Sequence, residues 1–282
     1  MAIPRRVHRA LHVLRTEGVG GLVRATISFA RRRLTPSGPD ECSLVFAALD
    51  ARSRPGTMVD VGAHVGSSLL PFAKAGWRVL ALEPDRVNRE LLLSETRGLP
   101  KVTIDSRAAS DHEEEGVTFF RSDLSTGISG LSAFHPTHQA SDRVTLSTLR
   151  TILQGHKIET VDFLKIDTEG FDLFVLRGVP WESVSPNVIV CEFEDAKTVP
   201  LGYSFHDMAA LLVQQGYAVI VSEWYPIVQY GRDHSWRRFV EYPCELEDTR
   251  AWGNLIAVRD KETLPALVAS FKRFSAGRST VA

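Results

Sequence analysis

The feature that most limits how this chain can fold is an alternation. From Thr57 to Asp260, short apolar runs rich in β-branched residues take turns with stretches of helical spacing. "TMVDVG" reads as a strand, and "SSLLPFAKAG" after it as a helix with Leu69, Phe72 and Ala73 on one face and Gly76 as its stop. Pro71 lies in the first turns, where proline is tolerated best. "WRVLALEP" is a second strand, and "DRVNRELLLSETRG" is a helix opened by Asp85 and closed by Gly98. "KVTID" is a third strand, and "GVTFFRS" an extra one. The pattern resumes with the strand "TVDFLKID" and the helix "GFDLFVLRGVP", whose inner face is Phe171, Phe174 and Val175. The strand "NVIVCEFE", the helix "SFHDMAALLVQQG" and the strands "YAVIVSEWYP" and "NLIAVRD" come next, before a C-terminal helix. Near-continuous apolar strands alternating with helices predict a parallel sheet covered on both faces. Such folds bind ligands at the carboxyl ends of their strands, where the strand order reverses.

Two constellations sit at strand ends. In "VDVGAHVG", Gly62 and Gly66 follow a strand and open a helix, and Asp60 precedes them. Glycine lets backbone approach a ligand closely, and a helix start offers free N–H groups. Glu83 ends the next strand, 21 residues after Gly62, where a carboxylate can accept both hydroxyls of a ribose. Strand, glycine turn, helix, strand and acid together predict a ribose-bearing cofactor, against the plainer possibility of a βαβ unit that binds nothing. The turn lacks the G-x-G-x-x-G spacing of a pyrophosphate site. An acid in the turn suits a cofactor with cationic groups, as S-adenosylmethionine is.

"VDVGAHVG", "LEPD", "ASD", "VDFLKIDTEG" and "VIVCEF" together resemble the FkbM-type family of S-adenosylmethionine-dependent methyltransferases, over about residues 56–195 and, with the terminal strands, to about 260. The most specific piece is "LKIDTEG", similar to that family's "KIDVEG"; family members commonly have Asn where this chain has His64. The resemblance implies a Rossmann-like class I methyltransferase fold with a mostly parallel seven-stranded sheet. It also implies O-methylation, often of sugar or polyketide hydroxyls. By position, Asp60, Gly62, His64 and Gly66 should shape the cofactor pocket and Glu83 should hold the ribose. Ser106, Arg107 and Ala108 should lie near the adenine, and Asp167 should face the methionine end. The alternatives are an NAD(P)-dependent oxidoreductase, disfavoured by the missing third glycine, and a non-catalytic cofactor-binding scaffold of the same fold.

A hydroxyl is a poor nucleophile and needs a proton acceptor in the transition state. The candidates, in order, are Asp167, Glu192 and His206. Glu169 either reaches the acceptor or caps the following helix, and Asp172 reads as a first-turn acid of that helix. Paired carboxylates can hold Mg²⁺, but this spacing does not compel a metal, and none is expected. Residues 123–141 lack periodicity and read as a polar loop over the acceptor site. Ser132, His135 and His138 within it are candidate acceptor contacts, as are Trp224 and Tyr225, whose aromatic faces suit sugar rings. His135 and His138 lack the spacing of a helical zinc motif.

Charge separates the chain into two parts. Residues 1–34 hold eight arginines and one acid, a net +7, which leaves −8 for the rest of a chain whose total is −1. We therefore expect a basic helical N-terminal extension over 1–39 and a methyltransferase domain over 40–282. An overall charge near zero argues against wholesale nucleic-acid binding. A basic amphipathic arm suits peripheral contact with an anionic membrane, against the plainer role of a solvated helix. Cys42, Cys191 and Cys244 form no pairing or metal framework. With no spanning segment and no signal peptide in view, the expectation is a cytoplasmic protein, peripheral at most to the inner face of a membrane.

Overall fold

The computed structural model of the chain describes residues 38–50, 54–122, 126–230 and 234–279. The chain divides into two units at Pro39 and Asp40. All but the last two residues of the basic extension lie outside the described residues.

One sheet of eight strands organises the second unit. Strands β1 (Thr57–Val61), β2 (Arg78–Leu82) and β3 (Val102–Asp105) run outward in one direction from the centre. Strands β7 (Phe163–Ile166) and β8 (Val188–Glu194) run outward in the other, all five parallel. Beyond β8 lie β11 (Trp252–Val258), antiparallel to both its neighbours, then β9 (Ala218–Trp224) and β10 (Trp236–Glu241). The eighth strand, β10, departs from the expected seven; it lies within the aromatic run after Trp224, where turn residues obscure its period. The order reverses between β1 and β7, whose last residues, Val61 and Ile166, are paired. That is the switch point at which this fold class opens a crevice.

The strands are apolar on both faces because both are covered. Val59, Val61, Leu80, Leu82, Leu164 and Ile166 belong to one core. Their neighbours Met58, Val79, Ala81 and Phe163 belong to the other, an alternation set by the two-residue period of a strand. Helix α1 (Glu41–Asp50) adds Val45 and Leu49 to this second core. Helix α2 (Leu70–Lys74) carries Phe72 into it, stacked on Phe163 at 5.1 Å. The predicted face of Leu69, Phe72 and Ala73 is buried as a unit. Helix α3 (Arg86–Glu95) is capped by Asp85, whose Oδ1 accepts the Asn88 N–H at 2.9 Å. Helix α4 (Leu149–Gly155) buries Leu149, Ile152 and Leu153 in the first core. Helix α5 (Asp172–Arg177) starts later than the sequence suggests, after Phe171, and it buries Leu173, Val175 and Leu176 rather than Phe171.

A second sheet of three strands stands beside the first. Strand β5 (Glu114–Ser122) pairs antiparallel with β6 (His138–Thr148), and β4 (Ala108–Ser110) pairs parallel with β6. The expected loop 123–141 is thus partly strand: β6 begins at His138. A single 3₁₀ turn, Thr126–Ile128, precedes Gly130, whose N–H and carbonyl both pair with Phe120. Mixed polar content along "HQASDRVTLST" hides β6, because only its later residues reach a core.

Candidate active site

The reversal in strand order brings the ends of β1, β2 and β7 around a cavity of about 350 Å³, lined also by Gly127, Ser129, Gly130 and Leu131 of the β5–β6 connection. This volume lies within the range of small-molecule pockets, roughly 300–1,000 Å³. Gly62 directly follows β1 with a left-handed φ of +75°, and a Cβ there would lie 1.9 Å from the carbonyl oxygen of Asp167. Only glycine lets the β1 and β7 turns approach so closely. His64 is also left-handed, at φ 50°. Asn, Asp and His are the non-glycine residues that accept this region most readily, so Asn or His can serve the same turn.

Glu83 lines the cavity at the end of β2. Its Oε2 accepts the His64 N–H at 2.7 Å and its Oε1 the Asp85 N–H at 2.8 Å. Each oxygen keeps a second lone pair. Burial pushes the carboxyl up to about 8, against the pull of the Asp85 and His64 N–H groups.

Asp60 is fully buried behind the glycine turn. Its Oδ2 accepts from Ser68 Oγ at 2.5 Å, and its Oδ1 lies 3.3 Å from the Lys165 ammonium. Lys165 Nζ also donates to the Gly62 carbonyl at 2.9 Å and lies 3.3 Å from Asp167 Oδ2. Burial works against the ammonium, but Asp167 and Asp60 outweigh it and hold Lys165 above its ordinary range. Sequence reasoning passed over this lysine. Its signal was a charged residue inside the apolar strand "FLKI", a placement rare without a partner.

A second buried cation lies next door, on the short helix α6 (Asp195–Thr198). Lys197 Nζ donates to Glu169 Oε2 at 2.6 Å and lies 2.7 Å from Glu194 Oε2 and 3.4 Å from Glu192 Oε2. The rings of Phe134 and Tyr230 lie 5.0 and 5.5 Å from it. Tyr230 donates its hydroxyl to Glu194 Oε1 at 2.9 Å. Three carboxylates share one ammonium here, so they cannot all ionise freely. Burial pushes Glu192 well above the usual carboxylate range and Glu169 up to about 7, each against the pull of Lys197. No pattern in "EFEDAKT" singles out Lys197, because its partners come from β8 and from the turn after β7.

Most of the expected cofactor residues meet at the cavity. Gly62, His64, Glu83, Arg107, Ala108 and Asp167 all line it, as does Glu169, a candidate acceptor contact. Asp60 and Gly66 stand behind it; a Cβ on Gly66, at φ +91°, would meet Leu92 at 2.7 Å. Ser106 is exposed and does not line it. Glu169 is not a helix cap: the residue before α5 is Phe171, and Glu169 pairs with Lys197 instead. Asp172 bridges elements, its Oδ2 accepting from Thr168 Oγ1 at 2.8 Å and its Oδ1 from the Glu192 N–H at 3.1 Å. Burial raises it to about 6.

The remaining expected contacts lie elsewhere. His206, at the start of α7 (Phe205–Gln214), reaches Tyr242 and Glu245, not the cavity. Trp224 is buried, donating Nε1 to Glu41 Oε1 at 3.0 Å, while Tyr225 lies under the Arg237 guanidinium at 4.2 Å. Both serve packing at the β9 end of the sheet. Ser132 is half-buried and does not line the cavity. His138 donates Nε2–H to the Ile128 carbonyl at 2.8 Å and accepts the His135 N–H on Nδ1, a neutral tautomer that burial favours. His135 Nδ1 lies 2.8 Å from Thr137 Oγ1. These contacts fold the connection on itself.

The sequence profile of the methyltransferase FkbM domain matches residues 60–219, more than half of the chain. The chain belongs to the FkbM methyltransferase family. No curated protein matches this family member. Among solved structures it is similar to the methyltransferase FkbM from Methylobacillus flagellatus, with 18% identity over 73% of this chain and 44% of that one and a TM-score of 0.43. It thus spans less than half the length of that protein. It is also similar to a SAM-dependent methyltransferase from Agrobacterium tumefaciens, with 11% identity, 80% and 63% coverage and a TM-score of 0.44. A third is fibrillarin from Aeropyrum pernix in complex with S-adenosyl-L-methionine, with 13% identity, 72% and 66% coverage and a TM-score of 0.38.

Proposed function

We propose that this methyltransferase binds S-adenosylmethionine in the β1–β2–β7 cavity and methylates a hydroxyl of a sugar, glycolipid, polysaccharide or natural product. One observation carries the cofactor assignment. The cavity is lined by an acid with open lone pairs, Glu83, and by a buried cation, Lys165, paired with Asp167 in the lining and with Asp60 behind it. The first suits a ribose diol. The second offers both signs of charge and suits an α-amino acid, with Lys165 toward its carboxylate and Asp167 toward its ammonium. Ala108, Ala109, Phe119 and Leu131 supply apolar lining suited to an adenine. When bound, the sulfonium supplies an electrophilic methyl group. The chain's residues orient the donor and exclude water, which is where much of the acceleration of an in-line displacement arises.

The hydroxyl assignment is supported by Glu169, which lines the cavity, and Glu192, both with an oxygen within 4.8 Å of one on Asp167, since an oxygen nucleophile needs a proton acceptor. The basic arm suits holding the enzyme at an anionic membrane surface, where glycolipid acceptors reside. Among the described residues, no helix is long and apolar enough to cross a membrane. Calorimetry with S-adenosylhomocysteine tests the cofactor assignment, and no heat of binding overturns it. Transfer of labelled methyl from S-adenosylmethionine into base-stable ether linkages tests the hydroxyl assignment.

A further inference from the structure

Glu169 is only 8% exposed, and with Glu83 it is one of two buried acids that line the cavity. Lys197 fixes its Oε2 at 2.6 Å, and its Oε1 makes no hydrogen bond to any described residue. One oxygen is therefore clamped, while the other is not fully buried and is free to meet a ligand in the cavity. Its backbone is also left-handed, at φ 56°, a conformation glycine would adopt with less strain.

Oxygens of Asp167, Glu169 and Glu192 lie within 4.8 Å of one another, but the neighbouring acids are placed differently. Asp167 Oδ2 faces Lys165 at the proposed methionine end. Glu192 does not line the cavity, and its side chain turns to Lys197. Glu194 is held by Lys197 and the Tyr230 hydroxyl. Asp172 is saturated by Thr168 and the Glu192 N–H. Lys197 is itself held by many contacts: its side chain is 4% exposed, paired with three carboxylates beside two aromatic rings.

We infer that Glu169 Oε1 is the proton acceptor of the methyl transfer, with Lys197 as the positioning residue that aims it; this rests on the hydroxyl-methylating reading above. As the acceptor oxygen bonds the methyl carbon, the carbon–sulfur bond breaks and its electron pair stays on sulfur, which becomes a neutral thioether. The hydroxyl proton passes to Glu169 Oε1, turning the carboxylate into a neutral acid that later releases it to water. The groups facing Glu169 are Lys197, Asp167, Glu192 and Glu194, with Tyr230 beyond Lys197. Burial against the pull of Lys197 leaves Glu169 near 7, where a base works best at neutral pH.

The test compares the unaltered enzyme with Glu169→Gln, which keeps shape and loses the base. Binding is read by calorimetry with S-adenosylhomocysteine. Transfer is read from methyl-labelled S-adenosylmethionine to extracted glycans and small molecules of source cells lacking this protein. Glu169→Gln should bind S-adenosylhomocysteine within about twofold of the unaltered enzyme and cut transfer by about 10²–10⁴-fold, the usual worth of a general base. The unaltered enzyme's rate should rise with pH through about 7, and the residual rate of the variant should not. Transfer by Glu169→Gln within about threefold of the unaltered enzyme overturns the assignment. So does a variant that loses S-adenosylhomocysteine binding along with transfer, since the glutamate would then be structural. For Lys197, the Lys197→Met variant should move the pH midpoint; a rate loss at an unmoved midpoint refutes the positioning role. Failure of the unaltered enzyme to bind S-adenosylhomocysteine refutes the cofactor assignment itself. Binding without transfer to any extract refutes the hydroxyl acceptor and this assignment together.

Discussion

Removing the Lys165 charge should destabilise the fold by an amount the structure sets. Lys165→Met keeps the apolar stem and deletes the ammonium. Asp60 is fully buried, and its Oδ1 makes no hydrogen bond; the ammonium 3.3 Å away is its compensation. The variant leaves a buried carboxylate with one neutral partner, the Ser68 hydroxyl on Oδ2. Breaking a buried pair from one side costs about 3–5 kcal/mol. The Asp167 side chain is 40% exposed, so solvent screens its share and it adds little. At about 2–4 °C per kcal/mol for a domain of this size, the midpoint of thermal unfolding should fall by roughly 6–20 °C. Urea unfolding followed by circular dichroism gives the free energies directly. Asp60→Asn in the same chain removes the orphaned charge, so the double variant should regain about 2 kcal/mol over Lys165→Met. A loss below about 1 kcal/mol, or a double variant no more stable than Lys165→Met, refutes the pairing.

The same geometry sets three further outcomes. Glu83, Glu169 and Asp172 are held at about 8, 7 and 6 in the fold, above their ordinary 4.5, 4.5 and 3.8. The folded chain then binds more protons than the unfolded one, so stability should fall as pH rises from about 4 to 8. Urea midpoints at pH 5.5 and 8.5 measure this, and Glu83→Gln should shrink the difference. At pH 9, where Glu83 is ionised, Glu83→Ala should weaken S-adenosylhomocysteine binding by about 10–100-fold, the worth of a hydrogen bond to a charged group, read by calorimetry. Gly62→Ala forces a Cβ to within 1.9 Å of the Asp167 carbonyl at a left-handed φ. The backbone alone should cost about 1–3 kcal/mol, visible in denaturation, and S-adenosylhomocysteine binding should be lost.

The legibility of this chain tracks the range of its interactions. Periodicity exposed the parallel strands because Val59, Leu80 and Leu164 are buried by the strand pattern itself. Gly62 and Glu83 were readable because turn and acid lie on one βαβ unit, at a spacing fixed by local geometry. His206, Trp224 and Tyr225 were misplaced because an attractive residue type at a strand or helix end says nothing of which way the element faces. Lys165 and Lys197 were missed for a different reason. A lysine becomes part of a site only through carboxylates brought to it by other strands: Asp60 lies 105 residues before Lys165, and Glu169 lies 28 residues before Lys197. Such partnerships are properties of the sheet order, not of any window of sequence.

Strand β7 therefore ends in acids for more than one physical reason. Asp167 sits where β7 emerges beside β1, and Lys165 two residues earlier compensates it from the same strand. Glu169 turns out of the helix path by its left-handed backbone, which presents its carboxylate to the cavity and to Lys197 instead of to the N–H groups of α5. Asp172 points back, tying Thr168 to the backbone of β8 and so fixing the turn that carries Glu169. The spacing of the three is what a strand, a left-handed turn and a helix start require in succession. The acids are close in sequence because the turn is tight, and they differ in role because each stands on a different backbone conformation.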